Sequence, residues 1–229
     1  MTALDLTAID HVLATTRSVR KRLDFDRAVR PEVIEECLRL AIQAPTGGNS
    51  QGWRWLVITD ADKRHALAEL YREIATPYLK AGLGEGGDVS AQQGRVIDSA
   101  TYLAEHLHEV PVHVIPCLAG ELDSLPNFAA AGSYGSIMPA MWSFQLALRS
   151  RGLGSVLTTL HLPLADRAAE LLEIPSGFTQ VGLIPVAYFT GEDFKPAVRR
   201  PVEEITYWNG WKQARGGEAR PSGRRRRET

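Results

Sequence analysis

Runs rich in β-branched and aromatic residues alternate along this chain with stretches whose apolar positions recur every three or four residues. WRWLVIT (53–59), VPVHVIPCL (110–118), GSVLTTL (154–160) and FTQVGLIPVAYF (178–189) are expected strands. Expected helices cover Leu6 to Thr16, Asp62 to Lys80, Ala129 to Arg149 and Pro163 to Leu172. A further helix opens at Pro31, where proline suits a first turn, and stops before Pro45. On it Val33, Ile34, Cys37, Leu38, Ala41 and Ile42 recur at helical spacing. The long helix from Ala129 carries a Ser/Pro interruption between Ser136 and Pro139. No internal repeat is visible. Strands alternating with helices define an α/β or α+β sandwich of three layers.

The 229 residues suffice for one large domain or two small ones, with 44% hydrophobic and 23% charged residues, as in ordinary globular proteins. No apolar run is long enough to span a bilayer. The N-terminal MTALDLTAIDHVLATTRSVRKR lacks the basic-then-apolar order of a secretory signal, so the expected compartment is the cytoplasm. Cys37 and Cys117 are the only cysteines, too few for a disulfide framework and wrongly spaced for zinc, and are expected in the core. The net charge of −1 hides a basic end: residues 214–229 hold six Arg and two Glu, and the preceding body carries −5. That Gly/Arg-rich end has no apolar residue larger than alanine and is expected to be a disordered, solvated tail. Nucleic acid and membrane are therefore not expected partners.

Between that tail and the last strand lies EDFKPAVRRPVEEITYWNGWKQ, from about residue 192. Its Ile205, Tyr207, Trp208 and Trp211 must be buried against the chain's own body or against another chain. The favoured reading is an arm that wraps a second subunit. The 129–149 helix agrees, because its Ile137, Met138, Met141, Trp142, Phe144 and Leu148 exceed what one packed face requires.

Several residues carry potential chemistry. Arg17, Ser18 and Arg20 follow the first helix, and Arg199 and Arg200 lie near the other end. Guanidinium forks and a hydroxyl suit phosphate oxygens, and two separated clusters in a near-neutral body point to one anion more strongly than either alone. APTGGNSQGWRW (44–55) places two amides, Asn49 and Gln51, two residues apart just before a strand. It is either a turn or a reader of a flat ligand's donor–acceptor edge. Gly82, Gly84 and Gly87 match a dinucleotide fingerprint formally, but no strand leads into them and GDVSAQQ follows, so the segment is expected to be a flexible loop. His106, His108 and His113, with Glu105 and Glu109, straddle a helix end and a strand start and are not expected to share a metal.

RSVR, APTGGNSQGWRW, GLGSVLTTL and RRP occur in the order seen in the FMN-dependent nitroreductases, and the chain resembles that family over roughly Thr15 to Trp211. It is also similar to the iodotyrosine-dehalogenase branch. The resemblance implies an α+β, three-layer α/β/α sandwich around a mainly antiparallel sheet, built as a domain-swapped homodimer with FMN in each subunit interface. It implies one FMN-binding domain over 1–213. Arg17, Ser18 and Arg20 would grip the phosphate and ribityl chain, Arg20 reaching the pyrimidine end. Arg199, with Arg200, would close the phosphate site. Thr46, Gly47 and Asn49 match the family's P-S/T-x-x-N loop, which makes Asn49 and Gln51 readers of the flavin edge. Thr158, Thr159 and Leu160 correspond to the stretch near flavin N5, and Ser136 to a position touching flavin from the other subunit. Gly52 stands where the family usually has proline.

The activity so implied is ping-pong transfer of a hydride from NADPH or NADH, through FMN, to a nitroaromatic or quinone, with no dedicated protein acid or base. A reductive dehalogenase, a flavin-consuming enzyme and a non-catalytic flavin protein are the alternatives. The dehalogenase branch clamps a zwitterionic amino acid with acidic, tyrosyl and basic lid residues. Here Glu73, Tyr78, Lys80 and Arg95 offer only a loose match.

Overall fold

The computed structural model describes residues 4–82, 90–122, 124–211 and 213. The chain divides into two compact units, Met1–Phe194 and Lys195–Thr229.

Helix α1 (Leu6–Thr15) starts where Asp5 accepts from Ala8 N at 3.1 Å, a side-chain N-cap. The short strand β1 (Leu23–Asp24) follows, then α2 (Pro31–Ala41), which buries Ile34, Cys37 and Ala41. Strand β2 (Trp53–Ile58) leads into α3 (Ala61–Gly82). Helix α4 (Ala91–His106) is capped by Ser90, whose hydroxyl accepts from Gln93 N at 3.2 Å. Strand β3 (Val112–Ala119), helix α5 (Asn127–Arg149) and strand β4 (Leu153–Ser155) come next. Helix α6 (Ala165–Leu172), β5 (Phe178–Gln180) and β6 (Ile184–Phe189) complete the first unit.

The strands run antiparallel in the order β1-β6-β3-β2, with β4 paired to β6 and β5 to β3. Alternation along β3 divides the core. Val112, Val114 and Leu118 pack with Ile34, Cys37, Ile137, Met141 and Phe144 from α2 and α5. Ile115 and Cys117 pack instead with Leu67, Tyr71, Leu103 and Ala168 from α3, α4 and α6. Helices thus cover both faces, as a two-residue side-chain period requires when each face is apolar. Both cysteines are free thiols in these two cores.

Four sequence expectations need correction. The segment after Gly87 is helical from Ala91, because Ile97, Leu103 and Ala104 find a packed face. Residues 83–89, with Gly84 and Gly87, lie outside the described residues. The strand expected over 154–160 ends at Ser155, beyond which only Thr158 bridges to Leu183. The 178–189 strand breaks into β5 and β6 around Gly182, where a Cβ would sit 2.6 Å from Leu157 Cδ1. Helix α5 runs uninterrupted through Ser136 and Pro139.

In the second unit α7 (Val202–Ile205) is a single turn, Thr206 Oγ1 donates to Val202 O at 2.7 Å, and the Tyr207 and Trp211 rings stack at 4.6 Å. Ile205, Trp208 and Trp211 are exposed. Residues 214–229 lie outside the described residues. Among the described residues no helix is long and apolar enough to cross a membrane.

Candidate functional site

The segment Arg17–Arg20 runs beside β4. Ser18 bridges to Ser155, and Val19 N donates to Ser155 O at 3.0 Å. The approach is close: a Cβ on Gly154 would lie 2.8 Å from Val19 Cγ1. This pairing buries Val19 and turns its neighbour Arg20 toward α3 and α4. Arg20 reaches a cavity of about 510 Å³ that is also lined by Tyr71, Tyr78, Gln93, Leu157, Thr158 and Leu160. Arg20 Nη1 donates to Ser99 Oγ on α4 at 3.3 Å. Among the described residues it has no carboxylate partner. Burial lowers its pKa from the ordinary value, an effect the nearby Tyr71 partly opposes. A half-buried cation facing a cavity without a neutralising carboxylate is arranged for a ligand that brings negative charge or acceptor atoms.

Residues flanking Arg20 also hold α4. Lys21 Nζ meets Asp98 Oδ2 at 2.6 Å and lies over the Tyr102 ring at 5.8 Å. Phe25 stacks on Tyr102 at 6.5 Å. The wall of the cavity and the helix over it are tied to one short stretch of chain.

Thr158 enters the cavity wall from an extended segment fixed by two main-chain bonds: its N–H to Leu183 O at 2.9 Å and Leu183 N–H to its own carbonyl at 2.8 Å. Its Oγ1 lies 3.2 Å from the Tyr71 hydroxyl. Thr159 is exposed and outside the lining, its carbonyl accepting from Leu162 N at 3.0 Å. Arg17 and Ser18 are also exposed.

A second group forms around the loop before β2. Gly47 N–H donates to Ser136 Oγ at 3.0 Å, and that hydroxyl donates to Gly132 O at 2.8 Å. Gly48, Asn49 and Gln51 all have positive φ, at 58°, 53° and 47°. Asparagine tolerates the left-handed region and glutamine less so, so the loop holds backbone strain of about 1–2 kcal/mol per non-glycine residue. Two main-chain bonds, Asn49 N to Thr46 O and Ser50 N to Gly47 O, and two that use side chains, Gln51 N to Thr46 Oγ1 at 3.2 Å and Gln51 Nε2 to Asn49 Oδ1 at 3.1 Å, hold the shape. Among the described residues that pairing leaves Asn49 Nδ2 as a donor and Gln51 Oε1 as an acceptor, both on exposed residues. The loop packs on α5, on the sheet face away from the cavity.

Arg20, Thr158 and Leu160 are thus brought together, and so are Thr46, Gly47, Asn49, Gln51 and Ser136. Arg199 and Arg200 belong to the second unit; both are exposed, and Arg199 Nη1 donates to Val198 O at 3.3 Å. Sequence reasoning missed Tyr71, Gln93 and Ser99, and weighed Tyr78 only as a loose match to a substrate clamp. Tyr71 was findable: with Leu67, Leu70, Ala75 and Leu79 it falls on the buried face of α3, the hydroxyl-bearing member of an otherwise apolar row. Elsewhere, His113 is fully buried with Nε2 2.9 Å from Leu107 O, and His106 Nδ1 contacts Glu109.

An antiparallel sheet between two helical layers is the nitroreductase-like architecture. A solved iodotyrosine deiodinase bound to FMN and 3-iodo-L-tyrosine shares it, with a TM-score of 0.64 at 22% identity over 84% of this chain and 94% of that one. Residues 13–188 match the Nitroreductase family, and the chain belongs to that family. Human iodotyrosine deiodinase 1 is 26% identical over 202 residues, which cover 85% of this chain and 66% of the human protein. The NADH dehydrogenase of Thermus thermophilus is 26% identical over 206 residues, covering 84% of this chain and 91% of that protein. The chain spans less than two thirds of the length of the human, mouse, orangutan and zebrafish deiodinases it matches.

Proposed function

We propose that this chain is an FMN-dependent oxidoreductase that passes a hydride from NADPH or NADH to a nitroaromatic or quinone acceptor. The observation that carries the reading is the convergence of Arg20, Thr158 and Leu160 on one cavity, with a guanidinium in its wall that has no carboxylate partner among the described residues. Bound there, FMN supplies a two-electron hydride carrier that side chains lack. Arg20 places a fixed positive charge beside it, and Thr158 and Leu160 shape the wall. Arg17 and Ser18 extend the polar rim toward a phosphate, to which the family resemblance also assigns Arg199 and Arg200. No side chain is needed as a proton donor to the acceptor, since protons reach an open cavity from water.

Homodimerisation is part of the same proposal. The amide loop and the cavity sit on opposite faces of the sheet, so one chain does not aim both at a single ligand, whereas two copies side by side can. Leu6, Ile9 and Leu13 on α1 and Met138 and Trp142 on the adjacent α5 are exposed, an apolar surface large enough to demand a cover. A second copy supplies that cover, Ser136 and the 46–51 loop of one subunit then facing the cavity of the other. The arm from Lys195 onward, with Ile205, Trp208 and Trp211 exposed, embraces the partner. The expected compartment is the cytoplasm.

A yellow preparation that releases FMN, elutes as a dimer and oxidises NADPH faster when a nitroaromatic is added is the expected result. A colourless protein that does not take up added FMN overturns the reading.

A further inference from the structure

The Tyr71–Thr158 contact joins the only two hydroxyls, among the described residues, that meet in the wall of the cavity. Tyr71 is 2% exposed, at the centre of the α3 face that packs on the sheet. Thr158 is half-buried at the cavity, and both its main-chain polar groups are spent on Leu183. The direction of the hydrogen bond follows from these surroundings. If Thr158 donated to Tyr71, the proton left over would sit on the phenol, the less accessible of the two groups at 2% exposure, and the half-buried threonine hydroxyl would have none to offer the cavity. If Tyr71 donates, each proton has a destination: the phenol's ends on Thr158 Oγ1, and the threonine's is left for the cavity. A phenol is also the stronger acid of the two and the better donor.

We infer that Tyr71 is a positioning residue, which by donating to Thr158 Oγ1 commits the Thr158 hydroxyl proton to an acceptor atom of the ligand bound in the cavity. The arrangement polarises in series: a hydroxyl that accepts from one partner donates more strongly to the next. With Arg20 in the same wall, this side of the cavity presents two donors, which favours a ligand edge that carries acceptors. This inference rests on the FMN reading, in which the ring system of the cofactor supplies that edge. It adds a residue on α3 that acts by setting the polarity of the Thr158 hydroxyl.

The test is the affinity of the apoprotein for oxidised FMN and the position of the bound flavin's visible absorption band. Tyr71→Phe, Thr158→Val, Thr158→Ser and the double variant Tyr71→Phe with Thr158→Val are compared. Tyr71→Phe and Thr158→Val are each expected to weaken FMN binding roughly tenfold and to move the band, and Thr158→Ser to retain most of the affinity. The double variant is expected to be no weaker than Thr158→Val alone. A purely structural tyrosine would lower the melting temperature and leave the affinity and spectrum of the folded protein unchanged. That result, or full additivity in the double variant, overturns the inference while leaving the FMN reading intact. Should Tyr71→Phe not fold, Thr158→Val with unaltered affinity overturns it alone. If the unaltered protein does not bind FMN, the functional reading falls and this inference with it.

Discussion

Gly47 and Ser136 lie 89 positions apart in sequence, and the main-chain N–H of one ends on the hydroxyl of the other at 3.0 Å. The bond pins a loop with three left-handed residues to the middle of α5, and Ser136 is itself tied to Gly132 O. Ser136→Ala removes the acceptor and leaves a part-buried N–H unpaired. The expected cost is about 1–2 kcal/mol, read as a lower urea midpoint with unchanged slope. FMN uptake should weaken with it. A midpoint equal to that of the unaltered protein would count against the loop being held in this way.

Gly154 lets the 17–20 segment approach β4. An added Cβ would meet Val19 Cγ1 at 2.8 Å and Val19 Cβ at 2.9 Å, and a β-branched side chain has no alternative rotamer to yield into. Gly154→Ala should destabilise the protein by about 1–3 kcal/mol and loosen the bound cofactor, because Arg20 moves with Val19. Thermal melting in the presence and absence of FMN checks both. The prediction fails if the melting temperature is unchanged in the apoprotein.

Acid should unfold the molecule early. Burial pushes His113 and His161 down from 6.5 to about 4, opposed at His113 by the Leu107 carbonyl and at His161 by Gln180, whose amide lies close without a bond of ordinary geometry. A base with a depressed folded-state pKa favours folding while it stays neutral. Its contribution is complete above the unfolded value of 6.5 and is lost as the pH falls toward 4. Each histidine accounts for a change on the order of 3 kcal/mol across that window, against a total of about 5–15 kcal/mol for a domain. Urea midpoints measured between pH 7 and pH 4.5 should fall steeply. A flat profile would show that the histidines are solvated.

Arg20→Ala removes the cation from the cavity wall. Reduction adds electrons to a bound flavin, and a preorganised positive charge favours the reduced state. The midpoint potential should therefore fall and reduction by NADPH should slow, by about tenfold or more, while Arg20→Lys keeps part of the effect. Potentiometric titration decides, and an unchanged potential in Arg20→Ala excludes the electrostatic role.

Trp142→Glu, or Leu13→Glu on the adjacent helix, puts a charge into the proposed subunit interface. Either is expected to shift the protein toward monomer in sedimentation experiments and to lower FMN content in parallel, because in the proposed dimer each cavity is completed by its neighbour. A stable dimer with full flavin content would place the interface elsewhere.

The layered architecture was readable from periodicity because both sheet faces are apolar and the two periods, 2 and 3.6, are easily separated. The Pro31 helix came out at nearly its observed length for that reason. Helix α4 did not, because the glycines before it dominate the local signal and its buried residues, Ile97, Leu103 and Ala104, are few. The break at Gly182 was equally hidden: the atoms that crowd a Cβ there, Leu157 Cδ1, Thr158 O and Met141 Cε, come from 24 or more positions away. Candidate residues that carry a motif, such as Arg20 and Thr158, could be singled out through family likeness, and the structure brings both to one cavity. Tyr71 has no motif, since its contact with Thr158 spans 87 positions.

Arg20 and the helix above its cavity are fastened through one short stretch, by Ser99, by Asp98 on Lys21 and by Tyr102 on Phe25. An engineer who wished to transplant the roof of another family member onto this scaffold would thus have to carry residues 20–25 along with it. Exchanging the helix alone would unclamp the guanidinium in the wall beneath it, and the chimera would lose the fixed charge along with the helix that held it.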